Sequence, residues 1–283
     1  MEIKAYAKIN LLLDIIGRRA DGYHTLDTVF QPVSFFDTLT GEEIPEGLEF
    51  SCSDRSLENA DNLAVRAFRQ LQAHCGIDRG LRLHLEKRLP SQAGMGGGSS
   101  DAAAVLRLCS ALFGLELSRE ELIREGAALG ADVPCFLIDG PSRGRGTGTE
   151  VTPIRSRLKL PLLVIKPPIA CSTPLMYRRL DEMGLQGDRH RGDRVQEALE
   201  RGSSAEALLP WLHNDFEAAA GEEIACLLAL LRQQRGALTA QLSGSGSAVW
   251  AAFAAPADRN LALERLKKRL PADHLLVACE TLP

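Results

Sequence analysis

The sequence predicts an α+β protein built in two layers. Three observations carry that expectation: a long alternating strand pattern at the N-terminus, a glycine-rich loop set between an alternating segment and a helical one, and a C-terminal half mixing helical periods with apolar strands. Strict strand-helix alternation, the mark of a doubly wound parallel sheet, is missing. At 283 residues, with 45% hydrophobic and 25% charged side chains, the chain has material for two ordinary domains with packed cores. A soft boundary between Thr152 and Lys159 divides it into residues 1–155 and 156–283.

Ile3, Ala5, Ala7, Ile9, Leu11, Leu13 and Ile15 alternate with Lys4, Tyr6, Lys8, Asn10, Leu12 and Asp14, which predicts a strand with one face in the core. Turn residues from Gly17 to Gly22 lead through Tyr23 and His24 into a second extended stretch, Thr25 to Phe36. Asp61 is the expected N-cap of a helix carrying Val65, Phe68, Leu71 and Cys75, and Gly76 closes it. Leu81, Leu83 and Leu85 alternate with Arg82, His84 and Glu86 in a half-buried strand. Ala102, Val105, Leu106, Cys109, Leu112 and Phe113 then recur at helical spacing, from a start between Ser99 and Asp101 to a stop at Gly114. Ser118 and Glu121 form a capping box for a helix ending by Gly130. Beyond a turn-rich passage from Asp139 to Gly148 and an apolar stretch from Leu158 to Ile165, the second half reads as mostly helical. Helices are expected over Arg194–Arg201, Ala205–Leu212 and Phe216–Arg235, then a strand at Ala248–Ala254, a helix at Asp258–Leu270 and a strand at Leu275–Cys279.

The net charge is −4 with acids and bases interspersed, so no basic stripe is available to neutralise a nucleic-acid backbone. No apolar run approaches the roughly 20 residues that span a bilayer, and Met1 to Ala5 shows no secretory pattern. A cytoplasmic protein binding neither nucleic acid nor membrane is expected. The seven cysteines are scattered and without a C-x-x-C pair, as reduced core thiols would be. Trp211 and Trp250 are expected in core or interface.

The loop Pro90-Ser91-Gln92-Ala93-Gly94-Met95-Gly96-Gly97-Gly98-Ser99-Ser100 is the most informative segment. Glycine permits positive φ and close backbone approach to an anion, and a helix opening at its end turns unsatisfied N–H groups and a positive dipole end toward the same point. A nucleotide phosphate is the expected ligand, and Gly97 is expected to need positive φ or direct contact with it. The loop is not a Walker sequence, because no lysine follows the glycines, and Ser99 stands where a dinucleotide fingerprint needs its third glycine. Lys8 and Asn10 project to one side of the first strand about 7 Å apart, close enough to share a ligand. On position alone, a lysine snorkelling from a solvated edge is the first reading. Asp132, in Gly130-Ala131-Asp132-Val133-Pro134, could cap a short helix or take a proton from an attacking hydroxyl, and taken alone it reads as a cap. Ser243-Gly244-Ser245-Gly246-Ser247 suits either a tight connection or close approach to a ligand or to the first loop.

In combination these segments resemble the GHMP kinases, a superfamily of ATP-dependent small-molecule kinases. The resemblance runs from about residue 3 to about residue 255. It rests on Ala5-Tyr6-Ala7-Lys8-Ile9-Asn10, on the glycine loop, and on Leu242-Ser243-Gly244-Ser245-Gly246. Arg19-Ala20-Asp21-Gly22-Tyr23-His24, Asp61-Asn62-Leu63, Gly130 to Phe136 and Asn214-Asp215-Phe216-Glu217 place it nearest a branch whose substrate carries a cytidine diphosphate. The resemblance implies a two-domain, two-layer α+β GHMP kinase fold with ATP and substrate sites between the domains. It implies ATP and Mg²⁺ as cofactors, a small cytidine diphosphate substrate as partner, and a monomer or homodimer. Asp132 matches the catalytic acid-base residue and Lys8 the lysine paired with it. Pro90 to Ser100 would hold ATP phosphates, and Asn62 would approach adenine. Asn10, Tyr23, His24 and Thr173 match the substrate side; no metal ligand is assigned. After Phe136 the chain departs from the family pattern, with Pro141, Arg143 and Arg145 intervening before Gly146 and Gly148, so a broken strand is expected there, with arginines that are solvated or touch phosphate. A homoserine- or mevalonate-type kinase is the alternative enzyme, and a non-catalytic binding protein on the same fold the alternative of another class. Tyr23-His24 argues against the first, and Lys8 together with Asp132 against the second.

Overall fold

The computed structural model describes residues 1–184 and 187–283, which form two compact units interleaved along the chain. One holds Met1–Ala7, Phe36–Ser91 and Gly96–Asp139; the other holds Lys8–Phe35, Gln92–Met95 and Gly140–Pro283. This division differs from a single cut near residue 155, because two long strands, β1 (Glu2–Arg18) and β2 (His24–Ile44), each contribute to both units.

The first unit adds β3 (Leu48–Cys52), α1 (Leu63–Cys75), β4 (Gly80–Glu86), α2 (Gly97–Leu112) and α3 (Arg119–Leu129). Its strands follow the order β3-β4-β2-β1, with β4 antiparallel to β2 and parallel to β3. Parallel neighbours need a crossover, and α1 supplies it. The alternation read in β4 holds: Leu81, Leu83 and Leu85 are buried against Phe68, Leu71, Val105 and Leu106, while Arg82, His84 and Glu86 face solvent. The capping box at Ser118 and Glu121 is present, and Gly76 ends α1 in the left-handed conformation. Asn62, not Asp61, caps α1, its Oδ1 accepting from the Ala64 N–H at 3.0 Å. Of two adjacent capping residue types, the one directly preceding the first helical turn takes the role. α2 begins at Gly97, two residues before the expected start, because Gly96 at φ +71° turns the chain into the helix without any side-chain cap.

The second unit contains β5 (Ser142–Gly146), β6 (Glu150–Pro153), β7 (Pro161–Lys166), α4 (Thr173–Met183), α5 (Arg191–Glu200), α6 (Ala205–Leu208), β8 (His213–Asn214), α7 (Phe216–Ala219), α8 (Glu222–Arg232), β9 (Ala237–Leu242), β10 (Val249–Phe253), α9 (Pro256–Lys267) and β11 (Leu275–Glu280). A four-stranded antiparallel sheet, β11-β7-β10-β9, lies at its centre, so this half is less helical than its sequence suggests. Leu163, Ile165, Leu227, Leu231 and Phe253 are buried in one core, and Trp250 is fully buried while Trp211 stays half-exposed. The expected helix over 216–235 is two helices, separated where Ala220 takes an extended ψ before Gly221. The one expected over 205–212 is α6 followed by a 3₁₀ turn carrying Pro210.

Two corrections bear on the site. The passage after Phe136 is not broken: β5 pairs with β2 from Leu26–Gly146 to Phe30–Ser142, and Pro141 stands just outside the strand. Arg143 is neither solvated nor turned to a phosphate. Its guanidinium forks onto both Asp27 oxygens at 2.7 and 2.5 Å and reaches Asp193 at 2.6 Å. Arg145 is exposed and meets Asp193 at 3.4 Å. The second correction is to β1, whose expected polar face holds only at its start, where Lys4 is exposed and Tyr6 half-buried. Farther along, Lys8, Asn10, Leu12 and Asp14 are all under 4% exposed.

Cys52, Cys109, Cys135 and Cys279 are buried, and Cys226 is exposed. Burial pushes the thiols of Cys109 and Cys279 up to about 12. Brief alkylation of the native protein is therefore expected to mark Cys226 and to spare Cys109 and Cys279, read by peptide mass spectrometry. Equal labelling of Cys109 before denaturation would contradict the packed core.

Candidate active site

Lys8 lies on β1 with its Nζ donating to the Asn10 side-chain oxygen and to the Gly94 carbonyl, each at 2.8 Å, and 5.5 Å from the Phe30 ring centroid. The Lys8 N–H donates to the Met95 carbonyl at 3.1 Å. The snorkelling reading is thus overturned: Gln92 to Met95 lies along β1, and the lysine head is held in a hydrogen-bonded site. Asn10 extends it. Its amide nitrogen donates to Thr28 Oγ1 at 2.8 Å, and its oxygen also accepts from the Gly244 N–H at 2.9 Å.

Of the two readings of Ser243–Ser247, approach to the first loop is the one realised. Ser243 Oγ donates to the Gly94 carbonyl at 3.0 Å, and the N–H groups of Ser247 and Ala248 donate to the carbonyls of Gln92 and Ala93. Gly94 has φ +71°, and a Cβ built there would stand 1.9 Å from the Ser243 carbonyl oxygen. Only glycine fits. Asn214 anchors the same turn from below, its Nδ2 donating to the carbonyls of Leu242 and Gly244 at 2.8 Å.

In the first unit the loop runs on into α2. Positive φ falls on Gly96 and not on Gly97, which is helical; a Cβ on Gly97 would meet Leu89 Cβ at 3.2 Å. With no side-chain cap at Gly96, the first-turn N–H groups of Gly97, Gly98 and Ser99 present the donors and positive dipole end that an anion requires. The residues therefore fit a phosphate. Ser100 does not share in this, since its hydroxyl is buried and donates to the Tyr6 carbonyl at 2.7 Å. Pro90 is half-buried, Ser91 and Gln92 are exposed, and Ala93 and Met95 are buried. Beneath the turn, Lys87 Nζ sits 2.5 Å from Asp37 and 2.9 Å from Asp101. Burial opposes the Lys87 charge, but the two carboxylates more than offset it and its pKa rises; burial pushes Asp101 up against the pull of Lys87.

Asn62 spends both amide ends on protein, capping α1 and donating to the Leu57 carbonyl at 2.9 Å. Asp132 is half-buried in the turn after α3. The 3₁₀ helix Pro134–Leu137 starts from Val133 without a side-chain cap, so the capping reading of Asp132 is not realised.

Of the four expected substrate-side residues, His24 packs on α4 and Thr173 opens it, whereas Asn10 belongs with Lys8. His24 stacks on Tyr177 with ring centroids 4.4 Å apart and planes 11° from parallel, and its Nε2 is 2.7 Å from Asp181 Oδ1. Tyr177 also meets Phe216 edge-on at 5.0 Å. Thr173 Oγ1 is 2.6 Å from Ser245 Oγ, which ties α4 to the serine-glycine turn. Thr173, Tyr177 and Asp181 are spaced by four and so share one helix face. Tyr177 and Asp181 escaped the sequence reading, although the Ser172-Thr173-Pro174 helix start would have indexed that face. Tyr23 is 68% exposed beside them in sequence.

Residues 62–140 match the family model of the GHMP kinases N terminal domain. The chain is 36% identical over 284 aligned residues to a 4-diphosphocytidyl-2-C-methyl-D-erythritol kinase of Caldicellulosiruptor saccharolyticus, covering 99% of this chain and 97% of that one. It is 38% identical to the protein of the same name from Moorella thermoacetica, covering 96% of each. The chain belongs to the 4-diphosphocytidyl-2-C-methyl-D-erythritol kinase family. A crystal structure of 4-(cytidine 5'-diphospho)-2C-methyl-D-erythritol kinase superposes over the full length of both chains with a TM-score of 0.85 at 34% identity. Mevalonate kinase from L. major, at 20% identity and a TM-score of 0.77, shares the fold. Membership of a kinase family implies ATP as the phosphoryl donor. Among the described residues no helix is long and apolar enough to cross a membrane.

Proposed function

We infer that this kinase transfers the γ-phosphoryl group of ATP to the 2-hydroxyl of 4-diphosphocytidyl-2-C-methyl-D-erythritol, as a cytoplasmic step of non-mevalonate isoprenoid precursor synthesis. The observation that carries the substrate is the His24, Tyr177 and Asp181 cluster. In the neutral tautomer that donates Nε2–H to Asp181, the second ring nitrogen of His24 would accept from the exocyclic amino group of cytosine. Tyr23, largely exposed beside His24 in sequence, offers an aromatic face for the base. Homoserine and mevalonate lack a planar base to stack on an aromatic side chain.

The first turn of α2 would hold the phosphates by backbone N–H groups, and Lys8, fixed by Asn10 and Gly94, would offset charge building on the transferred group. Asp132 would take the proton from the attacking hydroxyl. Mg²⁺, when bound, supplies charge neutralisation across the phosphates. Mg²⁺ is commonly held by phosphate oxygens with one or two carboxylates, so no all-protein cage is required.

Purified protein is expected to phosphorylate the cytidine substrate with ATP and Mg²⁺ at least tenfold faster than homoserine or mevalonate, in a coupled ADP assay. Equal rates across that panel would overturn the substrate. His24→Ala is expected to raise KM for the cytidine substrate while ATP affinity stays nearly constant, because the lost contacts are made in the ground state. Weakened ATP with unchanged substrate KM would instead assign His24 to the nucleotide.

A further inference from the structure

The second unit contains a cavity of about 350 Å³ whose wall includes Asp188, Arg191, His213, Asp215 and Glu217. Parallel pairing of β8 with β1, through Leu12–His213 and Leu13–Asn214, brings Asp14 to the same place. We propose that Asp14, His213 and Asp215 bind a divalent transition-metal cation, Zn²⁺ or Mn²⁺. One carboxylate oxygen from each aspartate and one imidazole nitrogen lie within 4.8 Å of one another. His213 Nε2 and Asp215 Oδ1 are 2.9 Å apart, close to the roughly 3 Å that separates neighbouring ligands each about 2.1 Å from an octahedral ion.

Asp14 gives the independent reason to place an ion here. The residue is fully buried, Arg191 engages its Oδ1, and Oδ2 has no hydrogen-bond partner among the described residues. A buried carboxylate oxygen without a donor is costly, and a cation beside it removes the cost. Asp215 is already oriented: its Oδ2 accepts from the Ile15 N–H at 2.6 Å, leaving Oδ1 turned to His213.

Charge points the same way. Asp14, Asp188, Asp215 and Glu217 set four carboxyl groups around this cavity against two guanidiniums, Arg191 at Asp14 and Arg232 at Glu217, so the surroundings are acidic and suit a cation. The donor set selects the metal, since an imidazole beside carboxylates suits Zn²⁺ or Mn²⁺, whereas Ca²⁺ and Mg²⁺ take oxygen alone. Asp14 stands six residues from Lys8 along β1, about 20 Å at strand rise, so this ion is not the one that accompanies ATP. Its position joins the end of β1 to β8 and, through Arg191, to the start of α5.

The test uses nucleotide-free protein stripped with chelator and titrated separately with ZnCl₂ and MnCl₂, by calorimetry for both and by water-proton relaxation for Mn²⁺. One ion per chain is expected, with a rise of several degrees in Tm. His213→Gln, at a side chain 42% exposed and therefore tolerant, is expected to weaken binding at least tenfold, as is Asp14→Asn. His84→Gln, remote on β4, is expected to leave binding unchanged. Circular dichroism verifies that each variant is folded; should Asp14→Asn fail to fold, His213→Gln decides alone. Absence of stoichiometric binding at 100-fold excess of ion over protein overturns the proposal. So does binding that survives His213→Gln, or equal affinity for Mg²⁺ and Ca²⁺, which marks an oxygen-only site.

Discussion

Asp132→Asn is expected to lower kcat roughly 10²- to 10⁴-fold with little change in Tm. The substitution keeps shape and removes the charged, basic oxygen. The N-cap position of the 3₁₀ helix after it is held by Val133 and not by Asp132, and the thermal melts separate a loss of structure from a loss of chemistry. Lys8→Met is the companion. After the change Asn10 Oδ1 still receives the Gly244 N–H and the Gly94 carbonyl still receives Ser243 Oγ. Losing a hydrogen-bonded charged group is expected to cost about 1.5–3 kcal/mol of stability while kcat falls. If both side chains act on one transition state, the double variant loses less than the product of the single losses. Steady-state kinetics at saturating ATP, with thermal melts of all three variants, measure this. An Asp132→Asn enzyme with more than about half the wild-type kcat would remove the carboxylate from the mechanism.

The parts of the fold legible in the sequence are those whose signals are local. The β4 alternation, the capping box of α3 and the glycine stop of α1 need only neighbours within one turn or one strand. The site was legible as residue types and not as environments. Lys8 looks solvated because its cover, Gln92 to Met95 and Gly244, lies far along the chain. Arg143 looks free because its partner Asp27 is 116 residues away. Such pairs leave no periodic trace, and burial of both faces of β1 follows from packing that periodicity does not encode. The resemblance to GHMP kinases supplied the role proposed for Asp132, which the residues alone would have read as a cap. It did not supply Tyr177 or Asp181, which emerge only when α4 sets its fifth and ninth residues beside His24.

Gly94→Ala is expected to be the most damaging single methyl in the loop. At φ +71° an alanine pays about 1–2 kcal/mol for a left-handed backbone. Its Cβ would also fall 1.9 Å from the Ser243 carbonyl oxygen and 2.8 Å from the Ser243 carbonyl carbon, both backbone atoms of a turn pinned by Asn214 and Asn10. Relief requires the 92–95 segment and the serine-glycine turn to separate, which breaks the Ser243 and Ser247 bonds and moves the carbonyl that holds Lys8 Nζ. Together these losses amount to about 2–5 kcal/mol. For a chain of this size that is a fall in Tm on the order of 5–15 °C, accompanied by at least a tenfold loss of kcat as Lys8 loses its fixed position. Gly98→Ala is the control, because a Cβ there meets only Leu63 Cδ1 at 3.6 Å, an ordinary contact on a helix that alanine favours. It should leave Tm within about 2 °C of wild type, each kcal/mol being worth about 2–4 °C here. Melts and kinetics on the pair decide the matter. A Gly94→Ala protein as stable as Gly98→Ala and as active as wild type would mean that the two turns do not meet at Gly94, and with that the placement of Lys8 would fall.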